Sequence, residues 1–324
     1  MPRKSTNDYG YIPDDGYIPD EIMPESAAAF DALAGKYDAS GTPAVTTWES
    51  FRPEVEKRAE EFDAMRKNGY LILWWIIAKV AGIPLWRSNQ SNIGSCAGWS
   101  AGGGYMMTVL YQMFLGAFRF TPVNPLAMWL VTKNWSRSGG QSMSNVLIGG
   151  NRHGNWPVEI VGCDPLSVNK NMVLQSANVA SLLQFGACRL PGVGRALATI
   201  IILCLRAGFV VCIGNSVKVS GARTNAKGLR QAILGGTWAH ATVFDGYIVV
   251  DGEVFLHWTN SHGDRYKGAD RFDSPESGCW FSVDQVIQFC SGRYVDAFAI
   301  TYSEAEVDTE RKSLAPLPIY AKAT

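Results

Sequence analysis

Apolar positions recur at helical spacing in the first half of the chain and at strand spacing in the second. From Trp48 to Lys67, acids and bases stand four residues apart, Glu54 and Arg58 among them, which predicts a helix with one solvated face. Pro53 suits its first turn. The run "YLILWWIIAKVAGIPLW", Tyr70 to Trp86, is shorter than the roughly 20 residues a membrane span needs and contains Lys79, Gly82 and Pro84. It predicts a buried helix or strand and no membrane partner. Cys96 to about Phe118 is apolar nearly all round, the pattern of a helix at a domain centre, with Gly102, Gly103 and Gly104 marking close backbone approach. After Gly208 the texture turns to short β-rich runs, "GFVVCIGNSVKV", "HATVFDGYIVVDGEVFLHWTN" and "RYVDAFAITYS". Helices first and strands later predict an α+β fold without the alternation of a doubly wound sheet.

The ends read differently. Gly10–Asp14 and Gly16–Asp20 repeat the motif GYIPD, and residues 1–25 are expected to form an extended arm. It serves either as a flexible tail or, through Tyr11, Ile12, Tyr17 and Ile18, as a contact in a homo- or hetero-oligomeric assembly. A helix is expected near Ser26–Lys36, and residues 26–82 form a helical extension. The main domain spans 83–303, and 304–324 form an extended tail with Pro316 and Pro318.

Composition narrows the function. With 324 residues and 47% hydrophobic content the chain can bury a large core. Lys plus Arg equals Asp plus Glu at 29 each, so no charge excess points to nucleic acid or an anionic membrane. The 7 cysteines form no C-x-x-C pair, which argues against a zinc ribbon or a thioredoxin-like site. Phosphate-binding, dinucleotide-binding and H-E-x-x-H motifs are not found, so neither a cofactor nor a metal is expected. "MPRKSTNDYGYIPDD" carries no secretory signal, and the expectation is synthesis in a reducing, cytoplasmic compartment.

The chemistry gathers around "RSNQSNIGSCAGWSAGG". A cysteine at a helix start gains from the unpaired N–H groups and the helix dipole, so Cys96 is expected to be a thiolate at neutral pH. Gln90 offers an N–H for an oxyanion. His240 leads into one strand and Asn260 ends the next, so adjacent antiparallel strands can bring them together.

These residues resemble the papain-like cysteine peptidases. "NQSNIGSCAGWS" is similar to that family's NQGxCGSCW segment, "AHATVFDGY" to DHAVxxVGY and "TNSHGDRYKG" to KNSWGxxWG. "SRSGGQSMSNVL" is similar to CNGGxxxxAL, and "SGCWFSVDQV" to a late strand and turn of bacterial and viral relatives. The separation of Cys96 and His240, about 144 residues, falls in the family's interval of about 130–150. The resemblance implies a two-lobe fold, with a buried central helix carrying Cys96 in the helical lobe and an antiparallel β lobe carrying His240 and Asn260. It implies Cys96 as nucleophile, His240 as base and acid, Asn260 as orienter of the imidazole and Gln90 as oxyanion donor. Gly139 and Gly140 match the pair that binds substrate backbone. Trp238 and Ala239 match the wall of a pocket expected to take small or medium apolar side chains.

Departures from the family bear on function. Ile93 and Arg137 stand where its disulfide cysteines would be, Ala97 follows the nucleophile, and His262 replaces the tryptophan after Asn-Ser. His262 is then either a shield over Asn260 or a rim residue. Glu54, Arg58 and Phe62 begin the spacing of an inhibitory prodomain, but Met65 and Gly69 break it. Cys188, Cys204, Cys212 and Cys290 read as buried thiols, His257 as a satisfied core residue and His153 as solvated. Two functions follow: a peptidase acting on peptide or protein substrates, or a papain-fold subunit of a larger assembly, such as a virus particle, with a weak site.

Overall fold

The computed structural model describes residues 47–301 except 84, 86–88, 92, 115–119, 121, 136–138, 162–167 and 178–184. The expected arm, the helix near Ser26–Lys36, the tail from 304, Pro84 and Arg137 lie outside the described residues.

Helix α1 (Trp48–Lys67) begins at Thr47, whose side chain accepts from the Ser50 N–H. Phe51, Val55, Ala59 and Phe62 recur at helical spacing and are buried, while exposed Glu54 pairs at 2.8 Å with Arg58, which is half-buried over the Phe209 ring. Pro53 sits one turn further in than expected, and the helix continues through it. Among the described residues of the apolar run from Tyr70, helix α2 (Trp74–Val80) is the helical part. Among the described residues no helix is long and apolar enough to cross a membrane.

Helix α3 (Cys96–Phe114) runs through the centre. It packs with α4 (Pro125–Thr132) and α5 (Met143–His153) on one side and with the sheet on the other, and its second half also meets α2. That double burial explains an apolar surface nearly all round. Close approach occurs at Gly98, Gly102 and Gly104: a Cβ on Gly98 would lie 2.6 Å from Trp129 Cβ, and one on Gly104 would lie 2.7 Å from Cys212 Sγ. Gly103 has nothing within 4 Å, so the expectation of close contact fails there. The short helices α6 (Val158–Val161) and α7 (Lys170–Gln175) complete the helical side.

The other side is a six-stranded sheet. Its strands are β1 (Gly186–Arg189), β2 (Val211–Thr224), β3 (Arg230–Val250), β4 (Glu253–Thr259), β5 (Gly278–Ser282) and β6 (Val295–Thr301). The order is β1-β6-β2-β3-β4-β5, antiparallel at each of these pairings, with one further parallel contact between β3 and β5. Asp251 and Gly252, with φ of 51° and 77°, make the two-residue turn between β3 and β4. An Asp-Gly pair favours this turn because both central residues need positive φ. Helices α8 (Gly194–Arg206) and α9 (Val283–Phe289) pack on the sheet with α1, so the extension contributes Phe51, Val55 and Ala59 to the same core as Phe244, Phe281 and Phe289. Asp63 bridges Arg66 and Arg206 at 2.5 Å each, fastening α1 to α8.

Candidate active site

Cys96 opens α3 where that helix meets β3, in one buried cluster with Ala241. The thiol is completely buried. Burial pushes it up to about 12, against hydrogen bonds from the backbone at Ala241, Ala97 and Cys96 that pull it down. The thiolate expected from helix onset is therefore corrected: desolvation of the anion outweighs the first-turn N–H groups. The resting thiol is neutral.

His240 on β3 and Asn260, one residue beyond β4, meet because these two strands are hydrogen-bonded neighbours. His240 Nε2 and Asn260 Oδ1 are 2.7 Å apart, and both residues are buried. The neighbours of Asn260 fix the proton. The Ser261 backbone N–H can only donate, and it donates to Oδ1 at 2.7 Å, while Asn260 Nδ2 donates to Tyr266 Oη at 3.0 Å. Oδ1 thus faces the imidazole as an acceptor, Nε2 carries the hydrogen, and Nδ1 is the basic nitrogen.

Gln90 is tied to the same loop. Its backbone N–H donates to Ser261 O at 2.6 Å, its Oε1 accepts from Ser261 Oγ, and Asn89 forms a β-bridge with His262. Its Nε2 donates to Ile93 O at 2.9 Å. The segment before the nucleophile and the segment after Asn260 thus hold each other in register.

His262 is half-buried, and its ring lies over His240 with centroids 4.8 Å apart and planes at 17°. Of its two expected roles, this geometry is that of a flat cover at the tryptophan's position. Burial, then Arg265, lowers its pKa to about 4. Trp238 is buried beside His240, their ring centroids 4.6 Å apart, and is stacked on Trp258, with Nε1 donating to Asn215 Oδ1 at 3.2 Å. Ala239, on the opposite face of the strand, packs against the helical core. Gly139, exposed at φ 68°, and half-buried Gly140 stand on the helical side between α4 and α5.

The remaining thiols and histidines also have places. Cys188, Cys204, Cys212 and Cys290 are buried. His257 Nδ1 lies 2.6 Å from Asp245 Oδ1 in the core, as expected of a satisfied core residue. His153 is exposed at the end of α5. Sequence reasoning missed Tyr266 and Ser261. Tyr266 was marked by its place at the second aromatic of the NSWGxxWG-like segment, but its hydroxyl bond was not.

No family model matches the chain, and no curated protein is similar to it in sequence. Solved structures are similar in fold. Xylellain, a cysteine protease from Xylella fastidiosa, matches at 15% identity and a TM-score of 0.50, over 93% of this chain and 98% of that one. Digestive procathepsin L 3 of Tenebrio molitor matches at 13% identity and a TM-score of 0.46, over 87% and 94%. Bromelain from Ananas comosus matches at 15% identity and a TM-score of 0.46, over 71% and 98%. The fold is the papain-like one, with mixed helices and an antiparallel sheet.

Proposed function

We propose that this chain is a cysteine peptidase-type hydrolase in which Cys96 attacks a peptide carbonyl. The observation that carries the reading is the buried His240–Asn260 bond, with its tautomer set, on a strand whose next residue, Ala241, packs in one cluster with the cysteine that starts the central helix. As Cys96 Sγ bonds to the carbonyl carbon, its proton passes to His240 Nδ1, because Nε2 is committed to Asn260. No standing ion pair is needed, which suits a neutral resting thiol. The oxyanion is held by Gln90 Nε2 and the Cys96 backbone N–H. The C–N bond then breaks, the imidazolium returns its proton to the leaving amine, water attacks the thioester with His240 again as base, and the C–S bond breaks, releasing the acid as the imidazolium gives its proton back to Cys96. Gly139, Gly140 and Ala239 are proposed to face the substrate; Trp238, expected on the same wall, is instead buried on the opposite face of β3, where it packs on Trp258 beside His240.

A quenched fluorogenic peptide library, with mass spectrometry of a peptidyl epoxide adduct, tests this. The wild type should turn over substrate and carry the adduct on Cys96, while C96S and H240A lose about 10³-fold or more in kcat. Turnover that survives in C96S overturns the reading.

A second reading is favoured by the complete burial of Cys96: a papain-fold subunit of an assembly, with the site retained but closed. Under it, deleting residues 2–25 lowers assembly, and the wild type neither hydrolyses peptide nor takes the epoxide.

A further inference from the structure

Lys133 ends α4, and its ammonium reaches forward over the turn that follows. Nζ donates to Gly139 O at 3.0 Å and to Gly140 O at 3.1 Å, and it lies 4.7 Å from the centre of the Trp129 ring. The described residues on either side of 136–138 hold costly backbone. Asn134 and Trp135 hold φ of 46° and 69° without being glycine, and Gly139 holds 68°. Such backbone persists only where its surroundings over-determine it. Trp129 is fully buried, and Gly98 on α3 admits its Cβ, since a methyl there would come within 2.6 Å. A continuous set of contacts therefore runs from the helix that begins at Cys96, through Trp129 and Lys133, to the Gly139–Gly140 carbonyls. Thr132 Oγ1 adds a second tie, to Gln141 Oε1 at 3.1 Å.

We propose that Lys133 is a positioning residue: its ammonium staples the Gly139–Gly140 segment at the spacing from α3 that a substrate backbone requires, in place of a covalent crosslink. The substrate part of this rests on the peptidase reading above. The sequence positions that would crosslink this region hold Ile93 and Arg137. Ile93 packs against the helical core and cannot form a bond across it. Three features suit the staple to this task. An ammonium has three donors in no fixed plane, so it can serve two successive carbonyls of a bent backbone. Hydrogen bonds from a charged donor are stronger than neutral ones. Each carbonyl has two lone pairs, so the bond to Lys133 leaves acceptor capacity for a substrate N–H.

The test compares wild type, K133M and K133R in the full chain. Methionine keeps an unbranched stem over Trp129 and removes the charge; arginine keeps a donor. Three readouts are taken: amide hydrogen exchange of peptides covering 139–143, alkylation of Cys96 by iodoacetamide, which needs no substrate strand, and inactivation by a dipeptidyl epoxide, which does. In K133M, exchange at 139–143 should rise and epoxide inactivation should slow about tenfold while iodoacetamide reacts at the wild-type rate, with K133R in between. Equal exchange in K133M and wild type overturns the staple, whatever the epoxide does. Faster exchange in K133M with a wild type that takes no epoxide sinks the peptidase reading and leaves the staple standing as a purely structural tie.

Discussion

The imidazole of His262 lies nearly parallel to that of His240, with ring centroids 4.8 Å apart and planes at 17°. A titratable ring thus stacks on the His240 imidazole, where the resemblance leads one to expect an indole. This makes the cover sensitive to acid.

The sign follows from the lowered pKa. Burial first, then Arg265, takes His262 from 6.5 to about 4 in the folded chain. Between those values the unfolded chain binds the extra proton and the folded chain does not, so stability falls as pH drops from about 6.5 toward 4. H262F keeps a flat ring and does not titrate. Its melting temperature should decline less than that of the wild type across this window, and superimposable profiles would sink the linkage.

Tyr266 Oη accepts from Asn260 Nδ2 at 3.0 Å, and both residues are buried. Y266F leaves that N–H without its acceptor, at a cost of about 1–3 kcal/mol, and loosens the amide whose oxygen faces His240. The expected result is kcat lower by about five- to tenfold with KM unchanged, and a larger loss in N260A. A change confined to KM would count against a role through Asn260.

The buried thiol of Cys96 has its own signature. With its pKa pushed up to about 12 by burial, iodoacetamide should react slowly at neutral pH and steadily faster with alkalinity. A rate plateau between about pH 5 and 7 would mean a standing thiolate and contradict this account.

Phe62 tests whether α1 belongs to the fold. Its ring is buried, meets Tyr111 edge-on at 6.5 Å, and lies where a Cβ on Gly208 would come within 2.5 Å. F62A should cost about 3–5 kcal/mol in urea unfolding, without any rise in peptide turnover. Stability near wild type together with increased turnover would instead mark α1 as a removable inhibitor.

Periodicity alone was enough for α1, for the central helix and for the change to strands after Gly208, because burial of one face or of all faces leaves its period in the residues. The order and spacing of Gln90, Cys96, His240 and Asn260 were legible too, since strand adjacency follows from a short turn between β3 and β4. Three things depended on the tertiary structure. The protonation of Cys96 did, because helix onset is a local property whereas desolvation comes from α3 lying between two packed layers. The state of the Asn260 amide did, because Tyr266 and Ser261 determine it through hydrogen bonds that no spacing encodes. The role of His262 did as well: a histidine in a loop can face water or a ring, and the bridge between Asn89 and His262 turns it onto His240.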